Sequence, residues 1–238
     1  MKIPGIIGGL GPESTIEYYR LLVATYRART GDGSYPPLVV NSLDMQRMIR
    51  LVTANDLAGV TAYLLEEIHR LARAGADFGV IAANTPHLVF PAVQAKSPIP
   101  LLNIVEVTCR AAGRLGLKRL GLFGARFTMA GRFYPEVFER AGIALVSPTA
   151  AEQDFIHEKY MGELVQGTIR PETRAALLAI AERMRVEEKI AGLILGGTEL
   201  PLILGDVQDP RLPFLDTTKL HVEAIIEQMI GYAPARSG

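Results

Sequence analysis

The sequence predicts an α/β protein of two similar lobes, each a parallel sheet flanked by helices, with a ligand cleft between them. Short apolar runs alternate with longer helical stretches along the chain, a pattern typical of parallel strands connected by helices. The strand candidates are continuous apolar runs, as expected where helices cover both faces of a sheet. The halves also resemble each other, because Ile6 and Leu122 lie in similar strands 116 residues apart, and Tyr18 and Tyr134 follow at the same offset.

Eight strands and seven helices account for this alternation. Strands are predicted at Ile3–Gly8, Pro37–Leu43, Phe78–Ala83, Pro100–Ile104, Arg119–Gly124, Ala144–Ser147, Gly192–Gly196 and Pro213–Asp216. Helices are predicted at Ile16–Thr30, Asp56–Ala74, Val105–Leu115, Ala130–Ala141, Ala151–Gln166, Pro171–Arg185 and Lys219–Ile230. Open α/β sheets bind ligands at the carboxyl ends of their strands, so two facing lobes are expected to enclose a ligand.

The composition favours a protein that acts on small molecules. Among 238 residues, 25 basic and 25 acidic side chains balance, which predicts no nucleic-acid partner. No apolar run approaches the roughly 20 residues of a membrane span, and glycine interrupts the N-terminal segment too early for a signal peptide. We therefore expect a cytoplasmic protein without a membrane partner. The single cysteine, Cys109, cannot form an internal disulfide, and is expected to pack as a small apolar residue in a helix.

A glycine-rich segment, residues 8–15, connects the first strand to the first helix. Gly9 and Gly11 allow close backbone approach, and free amides at the helix start could hold a carboxylate or a phosphate. The dinucleotide-binding fingerprint is not met, because the segment lacks its third glycine. The structural alternative is a tight turn that holds no ligand.

Polar side chains follow the third strand. Asn84 and Thr85 offer an amide and a hydroxyl to a small polar ligand. His87 titrates near neutrality and is a candidate acid or base, or else caps the next helix or bonds a backbone carbonyl.

A matching polar segment follows the seventh strand. Gly197 lets the backbone come close to a ligand, and Thr198 can donate to an anion. Glu199 is a candidate base, although it can equally orient a histidine or cap a helix.

Two cations are candidates for binding a distal carboxylate. Lys159 lies in a predicted helix rich in polar residues, and the alternative interpretation is that this helix face is simply exposed to solvent. Arg47 follows the second strand. His157 and Lys159 are two residues apart and so do not share a helix face. Near the C-terminus, Thr217 or Thr218 is expected to cap the final helix. No metal-ligand pattern is present, so no metal site is predicted.

Four motifs in order resemble the aspartate/glutamate racemase superfamily over nearly the whole chain. They are a Gly-Gly-x-Gly-Pro turn at 8–12, Asn-Thr-x-His at 84–87, Gly-x-Thr-Glu at 196–199 and Asp-Thr-Thr-x-x-His at 216–221. A Gly-Thr-x-x-Thr-Met turn of the family is matched at 124–129, with Ala125 replacing the first threonine, which adds Thr128 to the substrate-binding candidates.

The resemblance implies amino-acid racemisation without pyridoxal phosphate, metal or other cofactor. It also implies a C-terminal helix that returns to the first lobe, hence lobes of 1–101 with 212–238 and of 102–211. Dimers are common in the family, so a homodimer is expected. Family racemases move the α-proton with two thiols, one per lobe, and thiolates suit this role because their pKa is readily tuned. The matching positions hold Ala83 and Gly197, which carry no transferable proton.

Three interpretations follow from the missing thiols. The chain could racemise a small amino acid through His87, Glu199 or Lys159. It could catalyse another reaction of a small carboxylate, such as a lyase or hydrolase reaction. It could also bind an amino acid or dicarboxylate without turnover, with the thiols lost naturally or by engineering.

Overall fold

A computed structural model describes residues 1–231, which form two four-stranded parallel sheets flanked by helices, as the sequence predicts. The strands are β1 (Pro4–Gly8), β2 (Val39–Ser42), β3 (Phe78–Ile81), β4 (Leu101–Leu102), β5 (Arg119–Phe123), β6 (Ala144–Val146), β7 (Leu193–Leu195) and β8 (Phe214–Asp216). The sheet orders are β2-β1-β3-β4 and β6-β5-β7-β8, with every neighbouring pair parallel. The second sheet therefore repeats the topology of the first, as the 116-residue offset predicts.

Helices connect these strands. They are α1 (Pro12–Thr30), α2 (Met45–Thr53), α3 (Leu57–Arg73), α4 (Phe90–Gln94), α5 (Ile104–Arg114), α6 (Arg126–Ala130), α7 (Phe133–Arg140), α8 (Ala150–Gly162), α9 (Pro171–Glu187), α10 (Leu200–Leu204) and α11 (Thr217–Ile230). Their ends carry ordinary signals. Pro12 occupies the first turn of α1 and Gly31 ends that helix in the left-handed conformation, while Thr149 and Glu152 form a capping box at α8.

Several helix predictions need correction. Most of the predicted helix Ala130–Ala141 forms α7, whereas Ala130 is the last residue of the separate helix α6, because Gly131 is extended and ends that helix. The final helix is capped by Asp216, whose carboxylate accepts from the backbone N–H groups of Thr218 and Lys219 at 3.0 Å each. The Thr217 hydroxyl donates to the carbonyl of Leu195 instead, so neither threonine is the cap.

The chain divides into two compact units. Unit 1 comprises Met1–Ala82, Val89–Asn103 and, of the described residues, 221–231; unit 2 comprises Ala83–Leu88 and Ile104–Leu220. This division differs from the predicted lobes at 212–220. Those residues lie in unit 2, because β8 pairs with β7. Similarly, Ala83–Leu88 lies in unit 2 although it directly follows β3.

One core of unit 1 forms where the inner faces of α1 and α11 cover β1 and β3. Tyr18 is completely buried there, and its hydroxyl lies 2.9 Å from Nδ1 of His221. The other ring nitrogen of His221 lies 3.2 Å from the carbonyl oxygen of Leu102, so this pair ties α1, α11 and β4 together.

Unit 2 has two cores, one on each face of its sheet. The first, around Phe123 and Leu195, is covered by α8, α9 and α10. The second, around Leu122 and Ile194, is covered by α5 and α7 and includes Cys109 and Tyr134. Adjacent strand residues thus point to opposite buried faces, which explains why the strands are continuous apolar runs. Within 1–231 no helix is long and apolar enough to cross a membrane, and no group of three or more His, Cys, Asp or Glu side chains could hold a metal ion.

Candidate functional site

Asn84 is held in unit 2 by a chain of buried hydrogen bonds. The Tyr134 hydroxyl donates to Oδ1 of Asn84 at 2.6 Å, and Nδ2 of Asn84 donates to the Thr217 hydroxyl at 3.3 Å. The Thr217 hydroxyl donates a hydrogen bond to the carbonyl oxygen of Leu195, the last residue of β7, at 2.8 Å. Burial raises the pKa of Tyr134 well above its ordinary value, so this phenol stays a neutral donor. The network fixes the segment after β3 against the carboxyl ends of β7 and β8.

Two threonine hydroxyls form a second pair beside this network. Oγ1 of Thr85 lies 3.1 Å from Oγ1 of Thr128. Thr128 is fully buried, and its methyl group occupies the space beside Gly124 and Gly196, where a Cβ would lie 2.9 and 3.3 Å from it. Thr85 is only partly buried.

His87 has its two ring nitrogens engaged by backbone groups. Nδ1 lies 3.0 Å from the carbonyl oxygen of Ala83, and Nε2 accepts from the backbone N–H of Ile104 at 3.4 Å. An acceptor at Nε2 requires the proton to be on Nδ1, which donates to Ala83. Burial lowers the pKa of His87 to about 4, so the ring is neutral near pH 7. This geometry favours the backbone-bonding alternative for His87 over a direct acid or base role.

Glu199 is a buried carboxylate that accepts two hydroxyl groups. The Tyr160 hydroxyl of α8 and the Thr198 hydroxyl both donate to Oε2 of Glu199, the latter at 3.1 Å. Glu199 is 1% exposed and Thr198 is 2% exposed. Hydroxyl donors compensate a buried carboxylate for lost hydration, so the three side chains form one hydrogen-bonded cluster.

Gly197 packs against the edge of the Tyr160 ring. A Cβ built on Gly197 would overlap Cε2 of Tyr160 and would lie 3.0 Å from Cζ and 3.1 Å from the hydroxyl oxygen. The ring of Tyr160 therefore occupies the space that a side chain at position 197 would need.

Each of the two cationic candidates has partners within its own unit. Lys159 pairs with carboxylates of its own helix region, with Nζ 3.1 Å from Glu163 and 3.6 Å from Glu158. Arg47 lies in α2 of unit 1, exposed, with its guanidinium 4.0 Å from the centre of the Tyr63 ring. A role for either in carboxylate binding stays a prediction.

The glycine-rich turn in unit 1 is shaped by close packing. Gly9 has a φ of 74°, and a Cβ there would lie 2.5 Å from the backbone of Leu43. The amide of Gly9 donates to the Thr15 hydroxyl at 2.8 Å, and this hydroxyl donates to the carbonyl of Gly11. One of the amides expected to be free is thus satisfied internally, and packing alone explains the glycine at position 9.

Two tyrosines of unit 2 were not among the predicted site residues. Tyr134 carried a signal, since it lies at the repeat offset from Tyr18, yet its bond to Asn84 joins residues 50 positions apart. Tyr160 was not recognised as a buried residue because polar residues surround it in the sequence. Its spacing of four from Ile156, the other buried residue of α8, was the available signal.

Comparison with known proteins identifies the family. The sequence profile described as Asp/Glu/hydantoin racemase matches residues 7–225. The chain belongs to this family. Among curated relatives, the broad specificity amino-acid racemase RacX of Bacillus subtilis is 21% identical over 237 residues, covering 96% of this chain and 98% of that protein. Membership of the Asp/Glu/hydantoin racemase family supports an amino acid racemase-type function.

Solved structures of the Asp/Glu/hydantoin racemase family share this fold. An aspartate racemase homologue from Pyrococcus horikoshii OT3 is 30% identical, with a TM-score of 0.82 over 97% of this chain and 100% of that chain. The aspartate racemase of Picrophilus torridus is 24% identical, with a TM-score of 0.78 over 96% of this chain and 94% of that chain, and supports the fold alone.

Proposed function

We propose that this chain binds a small amino acid or dicarboxylate and catalyses 1,1-proton transfer at its α-carbon, without pyridoxal phosphate and without a pair of thiols. Family membership supports the substrate class and the type of reaction. The missing thiols follow from the resemblance, which aligns Ala83 and Gly197 with the two family cysteines.

One observation carries the proposal beyond the family. Unit 2 collects polar groups at the carboxyl ends of its strands, where α/β sheets bind ligands. Thr85 and Thr128 provide hydroxyls, and the segment after β7 provides Thr198 and the carboxylate of Glu199. Hydroxyls suit the carboxylate of a substrate, and a buried carboxylate suits the role of proton acceptor.

Small-carboxylate binding is tested by ligand-induced thermal stabilisation across amino acids and dicarboxylic acids. A ligand at about ten times its Kd stabilises the folded state by roughly 1.4 kcal/mol, which raises Tm by about 3–6 °C for a chain of this size. The matched amine without a carboxylate is the control. No shift with any carboxylate at millimolar concentration contradicts the binding proposal.

Proton transfer is tested by incubating L- and D-amino acids with the protein in deuterium oxide. We expect the α-proton signal to disappear from the NMR spectrum and optical rotation to decay, with no change after hydroxylamine treatment, which inactivates pyridoxal enzymes. Release of ammonia or carbon dioxide instead supports a lyase. Binding without exchange supports a non-catalytic binding protein, and either result contradicts racemisation.

We also propose that the protein is a cytoplasmic homodimer, as the family resemblance implies. Light scattering on the purified protein gives the mass directly. A mass of 25.9 kDa, that of one chain, contradicts the dimer.

A further inference from the structure

The position that the resemblance assigns to one catalytic thiol is occupied by another side chain. The Tyr160 ring covers Gly197, and its hydroxyl oxygen would lie 3.1 Å from a Cβ at that position. A side chain at position 197 would therefore meet the phenolic oxygen as well as the ring edge. Position 197 thus has no side chain, and the Tyr160 hydroxyl of α8 lies beside it.

This hydroxyl has a partner that can take its proton. Tyr160 donates to Oε2 of Glu199, and Thr198 donates to the same oxygen at 3.1 Å. Tyr160 is 8% exposed and Glu199 is 1% exposed, so both members of this pair are shielded from bulk solvent. A hydroxyl that touches the reacting atom and passes its proton to a carboxylate is a recognised form of acid-base catalysis.

We propose that Tyr160 is the proton-transferring residue at this strand end, with Glu199 as the proton acceptor behind it. This inference rests on the proposed function and names the group that replaces the thiol at position 197. Nothing in the sequence pattern or in the comparisons assigns a role to Tyr160.

The transfer balances as a relay. The α-C–H bond breaks, its electron pair stays on the substrate as an enolate, and the proton passes to the oxygen of Tyr160. In the same step the phenolic O–H bond breaks, and its proton passes to the carboxylate of Glu199, which becomes a neutral acid. A water molecule on the opposite face of the substrate then protonates the α-carbon, and the hydroxide that it leaves takes up the proton returned from Glu199 through Tyr160. The net result is inversion with uptake of a solvent proton, while return from Glu199 through Tyr160 to the same face regenerates the starting substrate.

The surroundings favour a relay over a phenolate. Burial and the negative charge of Glu199 raise the pKa of Tyr160 well above its ordinary value, so the phenol remains protonated near pH 7. A simultaneous transfer avoids placing a phenolate beside a carboxylate.

The test measures α-deuterium exchange and ligand affinity together. Two variants interrupt the relay in different ways. Tyr160→Phe removes the hydroxyl, and Glu199→Gln keeps an acceptor for Tyr160 but cannot take its proton. The matched controls lie in unit 1: Tyr26→Phe removes a buried hydroxyl bonded to Met1, and Glu67→Gln alters a buried carboxylate bonded to Asn41.

We expect both relay variants to lose about 100-fold or more in exchange rate, the lower range for acid-base catalysis, while ligand Kd changes less than about threefold. The controls should exchange at the wild-type rate. Tyr160→Phe leaves Glu199 with one donor fewer and can impair folding. If Tyr160→Phe is unfolded, the exchange rate of Glu199→Gln tests the relay.

Each result has a definite meaning. If the wild type exchanges and either folded relay variant exchanges equally fast, the relay is refuted while the proposed function stands. If the variants lose ligand affinity in place of exchange rate, Tyr160 and Glu199 bind substrate and the relay is again refuted. If the wild-type protein shows no exchange with any amino acid that it binds, the proposed function fails, and the relay fails with it.

Discussion

Replacing Gly197 with alanine tests the packing of Tyr160 against this glycine. The added Cβ would overlap Cε2 of the ring and lie 3.0 Å from Cζ. The ring is restrained from moving aside, because its hydroxyl donates to Glu199 and the side chain packs in the unit 2 core around Phe123. Since real Cβ contacts shorter than 3.0 Å essentially never occur, either the ring or the strand end must shift.

The expected cost follows from this overlap. Inserting a methyl group into a packed core costs about 1–3 kcal/mol. Gly197 does not have a positive φ, so the backbone tolerates alanine and the whole cost comes from contact with the ring. For a chain of this size, Tm should fall by about 2–4 °C for each kcal/mol.

Urea unfolding of a double-mutant cycle measures the effect. The four proteins are the wild type, Gly197→Ala, Tyr160→Ala and the double variant. Tyr160→Ala is itself destabilising by about 3–5 kcal/mol, because it leaves a cavity. In the Tyr160→Ala background the new methyl group meets no ring. The destabilisation caused by Gly197→Ala should therefore be smaller there than in the wild type, by at least about 1 kcal/mol.

A matched control separates ring contact from the general effect of replacing glycine. Gly113 is an exposed glycine within α5, and a Cβ there would meet nothing within 4 Å. Gly113→Ala should stabilise the protein by about 0.5–1 kcal/mol. If Gly197→Ala is as stable as the wild type, or costs the same with and without the Tyr160 ring, the packing argument is refuted.

Two further predictions concern other parts of the fold. Burial lowers the pKa of His87 from 6.5 to about 4, so the unfolded chain binds more protons in that interval and stability falls as the pH drops through it. Between neutral pH and pH 4, the free energy of unfolding measured in urea should therefore fall by roughly 3 kcal/mol less in His87→Gln than in the wild type. An equal fall in both proteins would contradict the buried neutral ring. Gly9→Ala should cost about 1–3 kcal/mol more than Gly33→Ala, because both glycines have positive φ but a Cβ at Gly33 meets nothing within 4 Å. Equal destabilisation by the two substitutions would show that the backbone around Gly9 can move to accommodate a Cβ.

Much of the fold could be predicted because it depends on local patterns. All eight predicted strands are present, since each is a short apolar run bounded by polar or glycine residues. Three helices, α2, α4 and α10, were not predicted. The helices α4 and α10 have five residues each with a proline in the first turn, too short to show a helical period. The helix α2 did carry signals, since Asp44 caps it and Met48 and Val52 form its buried face.

The sequence indicated candidate site residues but not their hydrogen bonds. Asn84, Thr85, Thr198 and Glu199 were chosen for their side-chain chemistry at strand ends and Thr128 from the resemblance, and all five lie in unit 2. Their role in binding or catalysis stays a prediction. Their partners depend on packing between distant segments. Tyr160 reaches Glu199 across 39 residues, and no single-sequence pattern indicates which face of α8 meets β7. The backbone bonds of His87 likewise depend on where α5 begins.

The sole thiol of the chain is poorly placed to react with alkylating agents or oxidants. Cys109 is 7% exposed inside α5, and burial raises the pKa of its thiol, so little thiolate forms near pH 7. Alkylation and peroxide oxidation both proceed through the thiolate. Iodoacetamide or hydrogen peroxide, which inactivate thiol-dependent enzymes, should leave the activity of this chain unchanged while it remains folded. The protein is therefore suited to work without a reducing agent.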